Sequence, residues 1–506
     1  MGEERAASQL ALFRAGRKYA WLDRACSLND GIVHLSPAEA ESLEAIYAIA
    51  AAEGRALAFV PASGAATRMF KGLSAIWKRP DRLSFAALAK EAAKDADARE
   101  TVEWFTRLGE FPFFAELKSA VSRAGVDAEA TMAAQDYLPW LEALLTGPGL
   151  ALAELPKALI PFHADGDGPR TPLHEHLAEA AALLKDAAGI CRLHFTVSPE
   201  HESAVLQALD RARAPFEAAG IRFRIELSRQ KPSTDTLAAD ARNEPFRDAD
   251  GNLVFRPGGH GALLENLHHT GGDIVFIKNI DNVGPARLRG VEIAHRRMLA
   301  GYLVHLQERI FGYQKALRLN PDARLVEEAA HFASQRLGVS APDALLAPPA
   351  DAPALAAKSE WLARTLARPL RVCAMVKNQG EPGGGPFWVR QADGSVRPQI
   401  VETAQVDMAN AGQRKILETA THFNPVDLVC AIRDTDGQPY KLQDFTDQDT
   451  CFISEKSKDG KPLKALELPG LWNGSMAFWN TAFVEAPLET FNPVKTVNDL
   501  LRPNHR

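Results

Sequence analysis

Cysteine is scarce in this chain, and what there is lies far apart. The five residues, Cys26, Cys191, Cys373, Cys430 and Cys451, are odd in number and show no CxxC spacing, which argues against a disulfide framework or a zinc ribbon. Paired histidines, His174 with His176 and His268 with His269, lack a third ligand nearby, so zinc gains nothing from them either. An excess of positive charge is also missing. Lys and Arg number 58 against 64 Asp and Glu, a formal charge of −6 that gives no reason to expect nucleic acid or an anionic membrane as partner. No run is long and apolar enough to span a bilayer. The opening "MGEERAASQLALFRAGRKYAW" mixes acids and bases where a signal peptide needs an uninterrupted apolar stretch, so the expected location is the cytoplasm.

What is present is globular material: 506 residues, 46% hydrophobic and 24% charged, enough for two lobes or one elaborated domain. Over residues 37 to 53, Ser36-Pro37 with a Glu soon after leads apolar positions at helical spacing, a helix start that Gly54 closes. "ALAFVPASGAATRMFKGL" then runs from a buried strand through a small-residue loop into a helix. Residues 72 to 150 carry Ala, Leu, Glu and Lys at helical periods and read as an all-helical insertion ending at Gly147-Pro148-Gly149. From 151 onward strands such as "HFTVS" (194–198), "IRFRIEL" (221–227) and "DIVFIKNI" alternate with helices, which predicts an α/β fold with a mostly parallel central sheet. The Ala/Pro-rich stretch 341–357 reads as a linker, and 370–506 is richer in strand-formers, Gly and aromatics.

Five stretches could carry chemistry. "PASGAATRM" (61–69) follows a strand with small residues that let backbone N–H groups approach an anion, and Arg68 adds a forked cation; a tight turn with a surface Arg is the bland account. "LPKALIPF" (155–162) fixes Lys157 between Pro156 and an apolar run, suited to a phosphate, although a lone Lys is usually solvated. "FRPGGHGALLENL" (255–267) makes a Gly loop around His260 where ligand and backbone can touch. "VFIKNIDNV" (275–283) begins as a buried strand and ends in Asp281, a hard oxygen ligand of the kind Mg²⁺ takes singly or in pairs. "TAFVEAPLETFNPVKTVNDLL" (481–501) repeats the Pro-restrained lysine as Pro493 and Lys495, ahead of a helix start capped by Thr496 or Asn498.

In this order the stretches resemble the UDP-sugar pyrophosphorylases, uridylyltransferases that join UTP to a sugar 1-phosphate. "PASGAATRM" looks like that family's Gly-rich loop, "LPKALIPF" like its "PK" motif, "SRQKPSTDT" (228–236) like its "Q...P" stretch, "PGGHGALLENL" like its "PGHGD" loop and "FIKNIDNVG" like its "SNIDNLG". "PQIVETAQVD" (398–407) resembles the sugar-binding strand "VVEYSE", "THFNPVDLV" (421–429) the neighbouring "FN..N", and "FNPVKTVNDLL" the terminal "F.PVK...DLL". The resemblance implies a Rossmann-like, GT-A type nucleotidyltransferase of a divergent bacterial branch known only by a domain-of-unknown-function label. It implies catalytic roles for Arg68, Lys157 and Lys495, and nucleotide contacts from Ser63, Gly64, Thr67, Gln230, Gly259, His260 and Gly261. It further implies sugar contacts from Glu402 and from the Asn of the Phe423-Asn424 pair, and Mg²⁺ as cofactor on Asp281. The implied partners are an NTP and a sugar 1-phosphate, with no nucleic acid and no membrane.

Residues 1–54 are then an N-terminal helical segment and 55–340 the nucleotide-binding part, with the insertion at about 72–150. Beyond the linker, 358–506 form the sugar-binding and C-terminal part that completes the catalytic domain. Three departures stand out. Ala65 and Ala66 occupy positions where the family has permissive residues, Arg68 and Lys157 are 157 − 68 = 89 positions apart, and "ETAQ" replaces "EYSE". "MVKNQGEPGGGPFWV" (375–389) and "LWNGSMAFWN" (471–480) match no motif; a sugar-stacking lid and a hairpin with half-buried aromatics are the two readings of each, the hairpin being preferred for the first. A metal-dependent glycosyltransferase of the same fold and a non-catalytic nucleotide-sugar sensor are the rival functions.

Overall fold

The computed structural model describes residues 2–16, 18–165, 168–380, 383–391 and 393–506. The first helix expected from sequence is α1, Pro37–Ala52, and it starts as a capping box: the Ser36 hydroxyl accepts from the Glu39 N–H while the Glu39 carboxylate accepts from the Ser36 N–H at 2.8 Å. Gly54 ends it in the left-handed region, φ +74°.

A ten-stranded sheet organises the described residues. Its strands are β1 (Ser27–Leu28), β2 (Gly31–Val33), β3 (Ala56–Pro61), β4 (Ile190–Thr196), β5 (Arg222–Ser228), β6 (Ile274–Lys278), β7 (Leu370–Lys377), β8 (His422–Phe423), β9 (Asp427–Ala431) and β10 (Asn480–Glu485). The spatial order is β1-β2-β10-β7-β9-β6-β3-β4-β5, with β8 added on β7. Parallel pairing joins β6, β3, β4 and β5 on one side and β2, β10 and β7 on the other, while β9 runs antiparallel between β6 and β7. β6 is buried at all five positions, as a strand covered on both faces must be.

Helices α2 (Pro172–Leu183), α3 (Glu202–Ala218), α4 (Arg289–Leu319) and α5 (Ala323–Leu337) cover this sheet, and α1 and α4 share its main apolar core with β3, β4, β6, β7 and β10. Residues 71–145 fold as short helices around Trp104, Trp140 and Leu144, and this second core also takes in Met69, Phe70, Val283, Val494, Val497 and Leu500. The helical segment therefore braces the loop after β3, the turn after β6 and the C-terminal segment together.

Two expectations meet a different local structure. The Ala/Pro-rich stretch read as a linker is helical at Asp343–Leu346 and again from Ala352 to Leu366, where Asp351 caps the first turn and Leu362 and Leu366 enter the main core. Pro353 sits in that first turn, where a missing N–H costs nothing. In "GGGPFWV", Gly385–Arg390 is a strand paired on both sides, by Leu22–Ala25 and by Val396–Val401, with Phe387 buried and Trp388 half-buried. The aromatics thus lie in a hairpin strand, but the Gly run leads into that strand instead of forming its turn and Phe387 is fully buried; Glu381 and Pro382 lie outside the described residues. Among the described residues no helix is long and apolar enough to cross a membrane.

Candidate active site at the ends of β3 and β6

Backbone pairing closes the long gap between Arg68 and Lys157. Ala65 bridges Pro156, the Lys157 N–H donates to the Gly64 carbonyl at 3.3 Å, and the Ala66 N–H donates to the Leu155 carbonyl at 3.1 Å. The helical segment is looped out from this zipper. Ala65 has φ −68°, and neither Gly64 nor Ala66 has positive φ, so the alanines carry no backbone strain. The Ser198 hydroxyl donates to the Ser63 carbonyl and holds the loop from β4. Thr67 and Arg68 are exposed, and no ion pair of Arg68 occurs among the described residues.

A second zipper delivers the other lysine. Past β6, Asn282 bridges Pro493, the Asn492 N–H donates to Asn282 Oδ1 at 2.8 Å, and the Val494 N–H donates to the Asp281 carbonyl at 3.1 Å. The Asp499 carboxylate accepts from the backbone N–H groups of Lys495 and Thr496, both at 2.7 Å, so the short helix Val497–Leu501 begins with Lys495 in a fixed backbone.

The two zippers meet on Asp281. Lys157 Nζ donates to Asp281 Oδ2 at 2.7 Å and to the Val494 carbonyl at 2.7 Å, while Lys495 Nζ reaches the same Oδ2 at 3.4 Å. Burial pushes the Asp281 carboxyl up, but the Lys495 and Lys157 ammonium groups outweigh it and hold the pKa below the ordinary carboxylate value. Asp281 and Lys157 are nearly enclosed, whereas the Lys495 side chain is 58% exposed. Two ammonium groups face one carboxylate, a surplus of positive charge at an opening.

Mg²⁺ can be tested against that donor set. No group of three or more His, Cys, Asp or Glu able to hold a metal occurs among the described residues. Both lysines contact Oδ2, so Asp281 offers one oxygen, Oδ1, to a cation. That fits an ion whose remaining ligands are phosphate oxygens and water, and not one held by the protein alone.

His260 and Glu402 line a separate cavity of about 420 Å³, together with Glu467, Lys464 and Phe452. The loop carrying His260 needs its glycines: Gly259 has φ +72°, and a Cβ on Gly261 would sit 2.1 Å from the Pro469 carbonyl oxygen. His260 stacks on Trp472 with ring centres 4.3 Å apart, and its Nδ1 accepts from the Leu471 N–H. Burial holds the imidazole near about 4 against the opposing pull of Glu467, so it is neutral at pH 7. Glu402 accepts from the Asn473 amide at 2.7 Å. Trp472 and Asn473 were legible only as part of "LWNGSMAFWN", whose role the sequence left open.

The remaining expected residues lie differently. Gln230 is half-buried with its amide near Asp235 at 3.4 Å. Asn424 is buried, its amide donating to the Ala374 carbonyl at 3.0 Å and accepting from the Val426 N–H, so that side chain ties β8 to β7. Lys278, to which the sequence reading gave no role, sits in a buried charge cluster below the site.

The architecture and the Asp281 centre define an α/β protein with two lysines converging on one carboxylate at its strand ends. The family model described as "Domain of unknown function (DUF4301)" matches residues 1–506, and the chain belongs to that family. No curated protein matches the sequence. Among solved structures the chain is similar to the uridine diphosphate N-acetylglucosamine pyrophosphorylase of Trypanosoma brucei, with 13% identity, 95% of this chain and 72% of that one covered, and a TM-score of 0.46. It is also similar to the UDP-glucose pyrophosphorylase of Leishmania major, with 13% identity, coverage of 98% and 74%, and a TM-score of 0.41. A third is the UDP-glucose phosphorylase of Trypanosoma brucei, with 12% identity, coverage of 99% and 76%, and a TM-score of 0.43. Likeness this distant assigns neither fold nor activity to this chain.

Proposed function

We propose that the chain is a nucleotidyltransferase that joins an NTP, UTP in the first instance, to a sugar 1-phosphate, giving an NDP-sugar and pyrophosphate. The observation that carries this is the meeting of Lys157 and Lys495, each behind a proline, on Asp281 beside the Ser63–Arg68 loop. A phosphate oxygen of the sugar 1-phosphate attacks the α-phosphorus in line; the new P–O bond forms as the bond to the β-phosphate oxygen breaks and pyrophosphate leaves. Little covalent work falls to the protein, so positioning and neutralisation of charge supply the rate. Arg68 and Lys157 hold the nucleotide phosphates. Lys495, the exposed lysine, takes the sugar phosphate. Asp281 orients both ammonium groups and offers Oδ1 to Mg²⁺, which when bound with the nucleotide neutralises charge on the phosphates.

The GT-A type of fold belongs to this reading. Ser63, Gly64 and Thr67 present backbone and hydroxyl donors to phosphate. Gln230, Gly259, His260 and Gly261 form the base end, and Glu402, held by Asn473, contacts sugar hydroxyls. With the Asn424 amide spent on backbone groups, the sugar contact falls to Glu402. The test is pyrophosphate release with Mg²⁺ across a panel of sugar 1-phosphates against UTP, ATP, GTP, CTP and dTTP. Release with one pair establishes the reaction; silence across the panel, with NDP-sugar binding intact by calorimetry, replaces it with a binding function.

A further inference from the structure

A second cavity, about 1120 Å³, lies away from the Asp281 centre, where α1, α4 and α5 meet the edge of the sheet. Tyr302, His305, Leu306 and Arg309 line it from α4, the i, i+3, i+4, i+7 spacing of one helix face. Phe332 and Arg336 line it from α5.

Asp30 is consumed by Arg24, which donates to both of its oxygens at 2.8 and 2.9 Å. Glu39 is hydrogen-bonded to Ser36 in the cap of α1 and also faces Arg336 and Tyr302 beyond ion-pair distance, and His34 lies 2.8 Å from Glu485. Arg309 and Arg336 have no carboxylate within ion-pair distance among the described residues. Arg309 donates to the Tyr313 hydroxyl at 3.1 Å and lies 4.8 Å from the Phe332 ring centre. Tyr302 is 4% exposed, and its buried hydroxyl lies against the Arg336 guanidinium. Burial raises the pKa of that hydroxyl and the Arg336 guanidinium draws it back, which places the two groups on one wall. A guanidinium can only donate to the hydroxyl oxygen, so the buried hydroxyl proton still lacks an acceptor.

We propose that this cavity binds a small organic anion, its phosphate or carboxylate held by Arg309 and Arg336 with the Tyr302 hydroxyl donating, and its apolar or aromatic body against Leu306 and Phe332. Guanidinium groups present the forked donors that both head groups take. The volume exceeds what a drug-sized ligand needs. None of Arg68, Lys157, Asp281, Lys495, His260 or Glu402 lines it.

The probe is 8-anilinonaphthalene-1-sulfonate, an anion on an aromatic body, titrated into the full chain by calorimetry. One saturable site is expected, with Kd raised at least tenfold by Arg309→Gln with Arg336→Gln and about threefold by Tyr302→Phe. Lys157→Met and Lys495→Ala should leave Kd unchanged. Both arginines are exposed, so the double variant should fold, which its melting curve checks. Displacement of the probe by phenyl phosphate or by benzoate identifies the head group. Absence of binding, a Kd indifferent to the double variant, sensitivity to the Lys157 and Lys495 changes, or displacement by neither competitor overturns the assignment.

Discussion

Lys278 and Asp281 stand three residues apart at the end of β6, and each is the centre of a charge cluster of a different kind. Lys278 is 2% exposed, with Nζ 2.8 Å from Glu179 and 3.9 Å from Glu292. Arg296 closes the same network, 2.9 Å from Glu179 and 3.0 Å from Asp427. Burial pushes the Glu179 carboxyl up, but Lys278 and Arg296 outweigh it, and Glu179 stays ionised. Burial also raises Glu292, to about 7, against the pull of Lys278, and its Oε2 has no hydrogen-bond partner. With Glu292 protonated, two cations face two anions and the sum is zero. At Asp281, by contrast, two lysines face one carboxylate. A sealed cluster must balance its charge internally; an open one can leave a surplus for a ligand. The imbalance, more than the residue types, is the ground for proposing that an anion binds at Asp281.

Breaking the sealed cluster should produce the largest effect. Lys278→Met leaves Glu179 facing one cation and should cost about 3–5 kcal/mol of unfolding free energy, measured by urea titration; a loss within experimental error removes the structural role assigned to it. Asp281→Asn should act on turnover: pyrophosphate release should fall roughly 10²- to 10³-fold, about 2.7–4 kcal/mol. The sign of its pH dependence follows from the depressed folded pKa. Its contribution to stability is present above the unfolded value of about 3.9 and lost as pH falls through the folded one. Lys495→Ala, at an exposed position, should lower turnover about tenfold to a hundredfold through the sugar phosphate and leave stability within about 0.5 kcal/mol. Equal losses of turnover in the Lys278 and Asp281 variants would erase the distinction between the clusters.

Much of this was readable in the sequence, and the parts that were not share a cause. The capping box at Ser36, the strand-loop-helix at 56–77 and the polar end of β6 depend on local signals, and local signals survive translation into structure. The meeting of Lys157 and Lys495 was implied by resemblance alone, because it depends on two backbone zippers between segments 89 and 210 or more positions apart. The helix that begins at Ala352, inside the stretch 341–357 read as a linker, was missed because Pro in a first turn and Pro in a flexible run look alike by composition. Asn473 and Trp472 could not be ranked because their partners, Glu402 and His260, are fixed by packing between distant loops. The Lys278 cluster was invisible for a related reason: its five members come from α2, β6, α4 and β9, and nothing in their spacing ties them together.

The smallest prediction separates the two clusters by pH. Glu292 binds its proton more tightly folded than unfolded, since its folded pKa is about 7 and a free Glu titrates near 4.3. Its contribution is therefore fully present below about pH 4.3 and is lost as pH rises through 7, the reverse of Asp281. Glu292→Gln keeps the shape of the protonated acid and carries no charge at any pH. The variant should hold its stability between pH 6 and 7.5 where the native protein loses about 1–2 kcal/mol, a difference measurable in parallel urea titrations. The Asn492 amide that now donates to Glu292 Oε1 at 3.1 Å can donate to the Gln carbonyl instead, so the substitution should not open a new unpaired group there. A native protein whose stability is flat over that interval would mean that Glu292 is ionised and the sealed cluster carries a net negative charge.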